Sequence, residues 1–285
     1  MNKVKIITDT ACDLTMDYLK AQGIGVVPMT VNFPDRSYRD GFDLTRDEFY
    51  CLLSAADKLP TTAQPTPGDF LKEIRTALAA GQEAVVITIS SGMSGTYESA
   101  LLAREQVEEK EKVAVFDSRT ASLGQGLLVI KAQELVAAGS GKEEILTELT
   151  KIRARLFSVF TLDTLEYLQK GGRLSRVQAV MGDILNIKPI LEVDKEGRIV
   201  PREKVRGRRR AIKRLLEIMA AEGRALENQL VTIGHSRCAE EALAFAEELK
   251  KLYHIKEVRI GEISSTVGTH TGPGCLVVFF QGERL

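Results

Sequence analysis

The sequence predicts an α/β fold in two domains: an N-terminal doubly wound, mostly parallel sheet over residues 1–155, and a C-terminal α+β domain with a mixed sheet over residues 156–285. Three observations carry this prediction. Through the first half, short β-rich runs end in clusters of small polar residues and are followed by amphipathic helical stretches, the pattern of a parallel sheet covered on both faces. In the second half, Asp194-Lys195-Glu196-Gly197 sits between two apolar runs as a hairpin signal, which calls for antiparallel pairing. The chain has 285 residues, 44% of them apolar, enough for two ordinary cores.

Residues 4–7 form the first predicted strand. They lead into Thr8-Asp9-Thr10-Ala11-Cys12-Asp13 and a helix over about 14–22 that Gly23 stops. Thr66 is placed to cap a later helix. Pro67 takes its first position, and Asp69 follows three residues after the cap, where a carboxylate reaches back to the cap N–H. Phe70, Ile74 and Leu78 then recur as one buried stripe, and Gly81 ends it. On this reading Thr61-Thr62-Ala63-Gln64-Pro65 is a loop directly before a helix. Residues 84–89 and 113–116 are further strands, followed by polar clusters at 90–96 and 117–122 and by helices that start near Tyr97 and end near Gly139. Ligand crevices of open parallel sheets lie outside the carboxyl ends of the strands, and all three polar clusters fall on that edge.

Past a boundary placed near Arg155, residues 157–160 read as a strand. Thr161 reads as the cap of a helix that carries Leu162, Leu165 and Leu168 on one side and stops at Gly171. Residues 190–193 and 199–205 are the arms of the hairpin. Helices over about 208–221 and 239–252, and strands at 230–233, 258–263 and 276–280, complete the set. No internal repeat or low-complexity linker interrupts it.

Composition removes several functional classes. The 39 basic residues balance 39 acidic ones, so no net charge directs the chain to nucleic acid or an anionic membrane. The strongest local bias is Arg206-Gly207-Arg208-Arg209-Arg210 with Lys213 and Arg214. It reads first as a solvated helix face and second as a stripe for an acidic partner, and no interleaved aromatics stack nucleic-acid bases beside it. Cys12, Cys51, Cys238 and Cys275 form no CxxC pair, which fits reduced thiols in a cytoplasmic protein. The first nine residues read as a strand start and not as a signal peptide. No apolar run approaches the ~20 residues of a membrane span. His235, His254 and His270 share no metal-ligand spacing, so no metal is expected, and a monomer is the default expectation.

Three predicted loops concentrate hydroxyls with Gly or Pro: residues 61–67, residues 90–97, and Gly268-Thr269-His270-Thr271-Gly272-Pro273-Gly274. Two of them precede predicted helices, whose free N–H groups favour an anion. Each alone would pass for an ordinary turn or cap. His270, set between glycines in a segment of little apolar character, reads as a site residue more readily than His235 or His254.

The strings Thr8-Asp9-Thr10, Thr62-Ala63-Gln64-Pro65, Ser91-Gly92-Met93-Ser94-Gly95-Thr96-Tyr97, Lys170-Gly171-Gly172-Arg173-Leu174-Ser175 and Gly268 to Gly274 resemble, in order, the signature segments of the DegV family, and the resemblance spans nearly the whole chain. It implies a non-catalytic protein that holds a long-chain fatty acid between its two domains. It further implies the fatty-acid-binding subunit of a bacterial fatty acid kinase, whose separate ATP-binding subunit phosphorylates the bound carboxyl group for phospholipid synthesis. By position, Thr62, Ser94 and His270 are the implied carboxylate ligands. Ser91, Gly95, Thr96, Arg173, Thr269 and Thr271 are further candidates for ligand or partner contact, with Arg173 the one for the kinase subunit or its nucleotide. The fatty acid is the bound ligand and no cofactor is implied. Ala63 departs from the family's common Ser, which puts the number of head-group contacts in question, and Met93 replaces a common aliphatic residue.

The physical requirements agree with that reading. Burying a ~16-carbon tail at ~0.8 kcal/mol per CH2 gives roughly 12 kcal/mol of gross driving force. The carboxylate is the difficulty, because burial without partners is costly. Neutral hydroxyl and imidazole donors would hold it less tightly than a bidentate Arg and leave it free to act as a nucleophile. Two rival readings stand beside this one. Ser94 and His270 with Asp9 or Asp117 could be drawn as an acyl-hydrolase triad, although no G-x-S-x-G elbow is present. A regulatory protein could act through the 206–214 stripe. A stand-alone kinase lacks both G-x-x-x-x-G-K-[ST] and G-x-G-x-x-G.

Overall fold

The structure, a computed structural model, describes residues 3–173 and 186–283; Leu174 and Ser175 lie outside the described residues. The first half contains β1 (Val4–Asp9), α1 (Met16–Ala21), β2 (Gly25–Val27), β3 (Thr30–Asn32), β4 (Ser37–Arg39), α2 (Arg46–Ala55), β5 (Thr61–Ala63), α3 (Pro67–Ala79), β6 (Glu83–Thr88), α4 (Thr96–Arg104), β7 (Val113–Asp117), α5 (Ser122–Ala137) and α6 (Lys142–Arg155). Four strands pair in parallel in the order β2-β1-β6-β7. Their residues are apolar on both sides because both sides are covered. Val4, Ile6, Val85 and Ile87 pack with α5 and α6, while Ile7, Ala84 and Val86 meet Phe70 and Ile74 of α3 and Ala100 of α4.

The caps read from sequence form as expected. The Thr66 hydroxyl accepts from the Asp69 N–H, the Asp69 carboxylate accepts from the Thr66 N–H, and Gly81 takes φ +72 at the far end of α3. A second capping box, Thr45 with Glu48, starts α2, a helix not anticipated from sequence. The expected loop at Thr61 is also corrected. Residues 61–63 are β5, the edge strand of a three-stranded antiparallel sheet in the order β4-β3-β5, built over Phe49, Tyr50 and Leu53 of α2.

The second half contains β8 (Leu156–Thr161), α7 (Glu166–Lys170), β9 (Ile187–Val193), β10 (Ile199–Arg206), α8 (Arg208–Glu222), β11 (Leu230–His235), α9 (Ala239–Tyr253), β12 (Glu257–Glu262), α10 (Ser265–Thr271) and β13 (Leu276–Gln281). The sheet runs β10-β9-β8-β13-β11-β12, and only β11 and β12 are parallel. The hairpin closes as read, with Gly197 at φ +75 donating its N–H to Asp194 O. Two expectations are corrected here, while the stop at Gly171 holds, with Gly171 as the C-cap of α7. Thr161 caps no helix: it ends β8, and α7 starts only at Glu166, although Leu162, Leu165 and Leu168 are buried. Gly172, at φ +70, holds the left-handed position after α7. The segment around His270 is not a loop, because residues 265–271 form α10.

The basic stripe is partly internal. Arg208 pairs with Glu241 at 2.6 Å and donates to Gly274 O, and Arg214 pairs with Glu203 and Glu217, whereas Arg209, Arg210 and Lys213 are exposed. Helices α8 and α9 cover one face of the mixed sheet. The opposite face presents Phe160, Leu191, Val193, Val277 and Phe279 toward the first half. Helix α5 lies between the two sheets and is buried at every position from Ser122 to Ile130, as an apolar helix enclosed on all sides must be. Gly124 is required there, since a Cβ would run into the Phe279 ring. Among the described residues, no helix is long and apolar enough to cross a membrane, and the four cysteines are free.

Candidate functional site

Between the carboxyl ends of the parallel strands and the inner face of the mixed sheet lies a cavity of about 370 Å³, within the ordinary range for small-molecule sites. Met29, Ile89 and Met93 supply apolar wall from one side, and Phe160, Val277 and Phe279 from the other. Its polar lining includes Thr62, Gln64, Ser94, Arg173 and His270, and hydroxyls of Thr120, Ser122, Ser158, Thr266 and Thr271 belong to residues that line it as well.

Each of these side chains is placed by a nearby element. Thr62 is the middle residue of β5, opposite Val31. His270 rides the last turn of α10, and its Nε2 shares a 2.8 Å hydrogen bond with Thr62 Oγ1. The start of α10 is held by two buried carboxylates. Asp40 accepts the N–H groups of Ser265 and Thr266 at 3.3 and 3.1 Å, and Asp13 accepts that of Ser264 at 3.0 Å. These are among the N–H groups that a helix start leaves without partners. The Thr269 and Thr271 hydroxyls turn back to Ser265 O and Val267 O. Gly171 packs flat against the imidazole, where a Cβ would overlap His270 Nδ1.

Burial, helped by the Arg173 charge, pushes the His270 pKa down to about 4, so the ring is neutral at pH 7. Its buried Nδ1 has no partner among the described residues. Arg173 is half-buried. It donates to Met93 O and Gly171 O, faces no carboxylate at ion-pair distance among the described residues, and has its pKa lowered by burial.

Ser94 lies in the turn between β6 and α4, its hydroxyl 2.8 Å from that of Thr96. Thr96 therefore stands behind Ser94, away from the cavity wall. Ser91 is drawn off by Asp117, which accepts both its N–H and its hydroxyl. Gly95 allows the close approach of Gln64, whose amide donates to Ser99. Of the sequence-derived candidates, Thr62, Ser94, Arg173, His270 and Thr271 line the cavity, and Thr269 faces an adjoining cleft. Ser91, Gly95 and Thr96 do not line either space. Gln64, Asp13 and Asp40 were not identified from sequence. For Gln64 the signal was present, since it sits inside the Thr62-Ala63-Gln64-Pro65 string.

The drawn hydrolase triad is not assembled. His270 bonds Thr62 and not Ser94, Asp9 accepts the N–H groups of Ala11 and Ile89, and Asp117 accepts those of Ser91 and Arg119. Among the described residues, no group of His, Cys, Asp and Glu is arranged to hold a metal ion.

Comparison with known proteins gives one consistent result. A family model described as "uncharacterised protein, DegV family" matches residues 3–283. A DegV domain-containing protein of Caldanaerobacter subterraneus subsp. tengcongensis is 37% identical over 281 residues, 99% of each chain. Two similar solved structures are a DegV family protein from Thermus thermophilus described by its fatty acid binding, with TM-score 0.90 and 32% identity over 98% of this chain and 99% of that one, and DegV, a fatty acid binding protein from Bacillus subtilis, with TM-score 0.87 and 32% identity over 99% of this chain and 100% of that one. A DegV family protein from Ruminococcus gnavus, described with vaccenic acid, has TM-score 0.89 and 26% identity over 98% of this chain and 100% of that one.

Proposed function

The chain belongs to the DegV family, and we propose that it binds one long-chain fatty acid, with the acyl chain in the apolar cavity and the carboxylate at Thr62, Ser94 and His270. The observation that carries this reading is an apolar cavity of about 370 Å³ whose lining includes the linked Thr62 and His270 pair. An apolar tail is driven into such a space by its own desolvation, and a carboxylate needs donors there. If His270 Nε2 carries the proton and donates to Thr62 Oγ1, the Thr62 O–H is left to donate to the ligand, and His270 acts on the carboxylate through Thr62. Binding of fatty acids by the structural relatives supports the same assignment. The neutral donors hold the carboxylate without neutralising it, which suits presentation to a separate ATP-binding kinase subunit for conversion to an acyl phosphate. The chain itself contributes binding and orientation.

Mass spectrometry of lipid extracted from the purified, denatured protein tests this first. The expected result is a stoichiometric long-chain fatty acid. In palmitate titrations, Ser94→Ala removes one hydrogen bond to a charged group, worth about 1.5 kcal/mol, and weakens binding by roughly tenfold. Absence of both endogenous lipid and palmitate binding overturns the proposal.

A further inference from the structure

The acyl cavity adjoins further space at two places that share no residue. Beside the proposed head it meets one cleft across Thr62, Arg173 and His270. Elsewhere it meets another, of about 290 Å³, across Thr120, Ser158 and Val193. At this second place stands a hydroxyl pair: Thr120 Oγ1 and Ser158 Oγ lie 2.9 Å apart, and both residues are buried. Only one of their two O–H groups is used in that bond, and the other finds at most Ala121 O, at 3.4 Å from Thr120. Beyond the pair the cleft is basic. Arg119, Arg153 and Lys195 line it with a single carboxylate, Asp194, which already accepts the N–H groups of Glu196 and Arg198. Arg153, on α6, is half-buried, yet its guanidinium meets only Asp117 O and the face of the Phe116 ring. Burial and the Arg119 charge lower its pKa, the state of a cation short of a counter-charge. Arg119 donates to Lys195 O. Among the described residues, none of these three cations has a carboxylate at ion-pair distance.

We infer that the tail end of the acyl site binds a second carboxylate, between the Thr120–Ser158 pair and Arg153 with Arg119 and Lys195 at the rim, so that the protein takes long-chain α,ω-dicarboxylic acids. The inference rests on the fatty-acid reading above. A plain acyl chain ends here in a methyl group against two hydroxyls and makes no use of the cations behind them. A chain with a carboxylate at its far end exchanges the Thr120–Ser158 bond for hydroxyl and guanidinium bonds to a charged acceptor, which are the stronger kind. It also leaves no charge stranded in the apolar stretch between the two ends.

Calorimetric titration of the full chain with palmitate and with the saturated diacids from dodecanedioic to octadecanedioic acid tests the inference. It is made in the wild type and in an Arg119→Ala, Lys195→Ala double variant. Both residues are exposed and neither lines the acyl cavity. At least one diacid is expected to bind the wild type within about tenfold of palmitate, whereas a second carboxylate buried without partners would place every diacid well below that. The double variant is expected to weaken the best diacid by about tenfold, with a reduced salt dependence, and to leave palmitate within about twofold. Arg153→Gln keeps an N–H donor for Asp117 O and is likewise expected to weaken the diacid and spare palmitate. If palmitate binds but no diacid comes within tenfold of it, the subsite is refuted and the fatty-acid reading stands. The same holds if the diacid ignores the cations or if diacid and palmitate weaken together. If the wild type binds neither kind of acid, both readings fall.

Discussion

Burial and the nearby Arg173 charge push the His270 imidazole down to about 4, so protonation at neutral pH plays no part in the unliganded site. A bound carboxylate would reverse part of that shift, because an opposite charge within a few ångströms favours the protonated ring. The His270 resonances should therefore stay in the neutral form down to about pH 5 without ligand and titrate at higher pH once palmitate is bound. Two-dimensional NMR of the labelled imidazole checks this, and an unchanged titration would separate His270 from the carboxylate. Gly171 gives a test of placement that alters no polar group. Its φ of −76 accepts alanine, but the added Cβ would overlap His270 Nδ1. Overpacking of this kind costs typically 1–3 kcal/mol. Gly171→Ala should weaken palmitate by at least several-fold and leave the slope of urea unfolding unchanged, because the same surface is exposed.

At the scale of elements, the central question is why a seven-residue helix carries a site residue. Alone, α10 is far too short to be stable. Asp40 and Asp13 supply the acceptors that its first N–H groups lack. Asp40→Ala leaves two buried N–H groups unpaired, at about 1–3 kcal/mol each. Amide exchange over residues 265–271 should accelerate and palmitate affinity should fall with it, while Asp40→Asn keeps one acceptor and recovers part of both. An affinity loss without faster exchange would argue that Asp40 acts elsewhere. The same dependence explains what the sequence could and could not reveal. Helix α3 and the hairpin at Gly197 were legible because cap, stripe and turn lie in contiguous residues. Helix α10 and strand β5 were not, because what forms them comes from elsewhere in the chain: Asp40 is 225 residues from Ser265, and Thr62 is ordered by Val31. The polar site residues were visible as short strings, whereas the apolar walls were not. Val277 and Phe279 face the cavity while Leu276, Val278 and Phe280 are buried on the other face, so a strand buried on both sides gives no period-two signal to separate them.

Asp13 ties the whole molecule together. Its carboxylate accepts from Ser122 at the start of α5 and from the Ser264 N–H before α10, and its carbonyl accepts from Arg46 of α2. Burial pushes its pKa from 3.8 up to about 6, against the attraction of Arg46. The native state therefore takes up this proton at higher pH than the unfolded chain does. The associated stability is fully present below about pH 4 and is lost as pH rises through about 6. His270 works in the opposite direction: with its pKa lowered from 6.5 to about 4, it withdraws stability as pH falls through that window. Asp9, also pushed from 3.8 up to about 6 by burial, acts in the same direction as Asp13, so the wild-type profile sums all three groups and isolates none of them. Asp13→Asn isolates the first. Asp13 has φ +55, a left-handed conformation that asparagine adopts readily, so the backbone is not strained by the change. Measured by urea unfolding, the stability of the wild type relative to this variant should fall between pH 4 and pH 6, by about 3 kcal/mol if the full pKa gap is expressed. Relative to His270→Ala, it should rise over the same range. A pH-independent difference for Asp13→Asn would mean that the carboxylate at this junction is as well solvated in the native state as in the unfolded chain, and that the two sheets are joined there by a hydrated contact and not by a buried one.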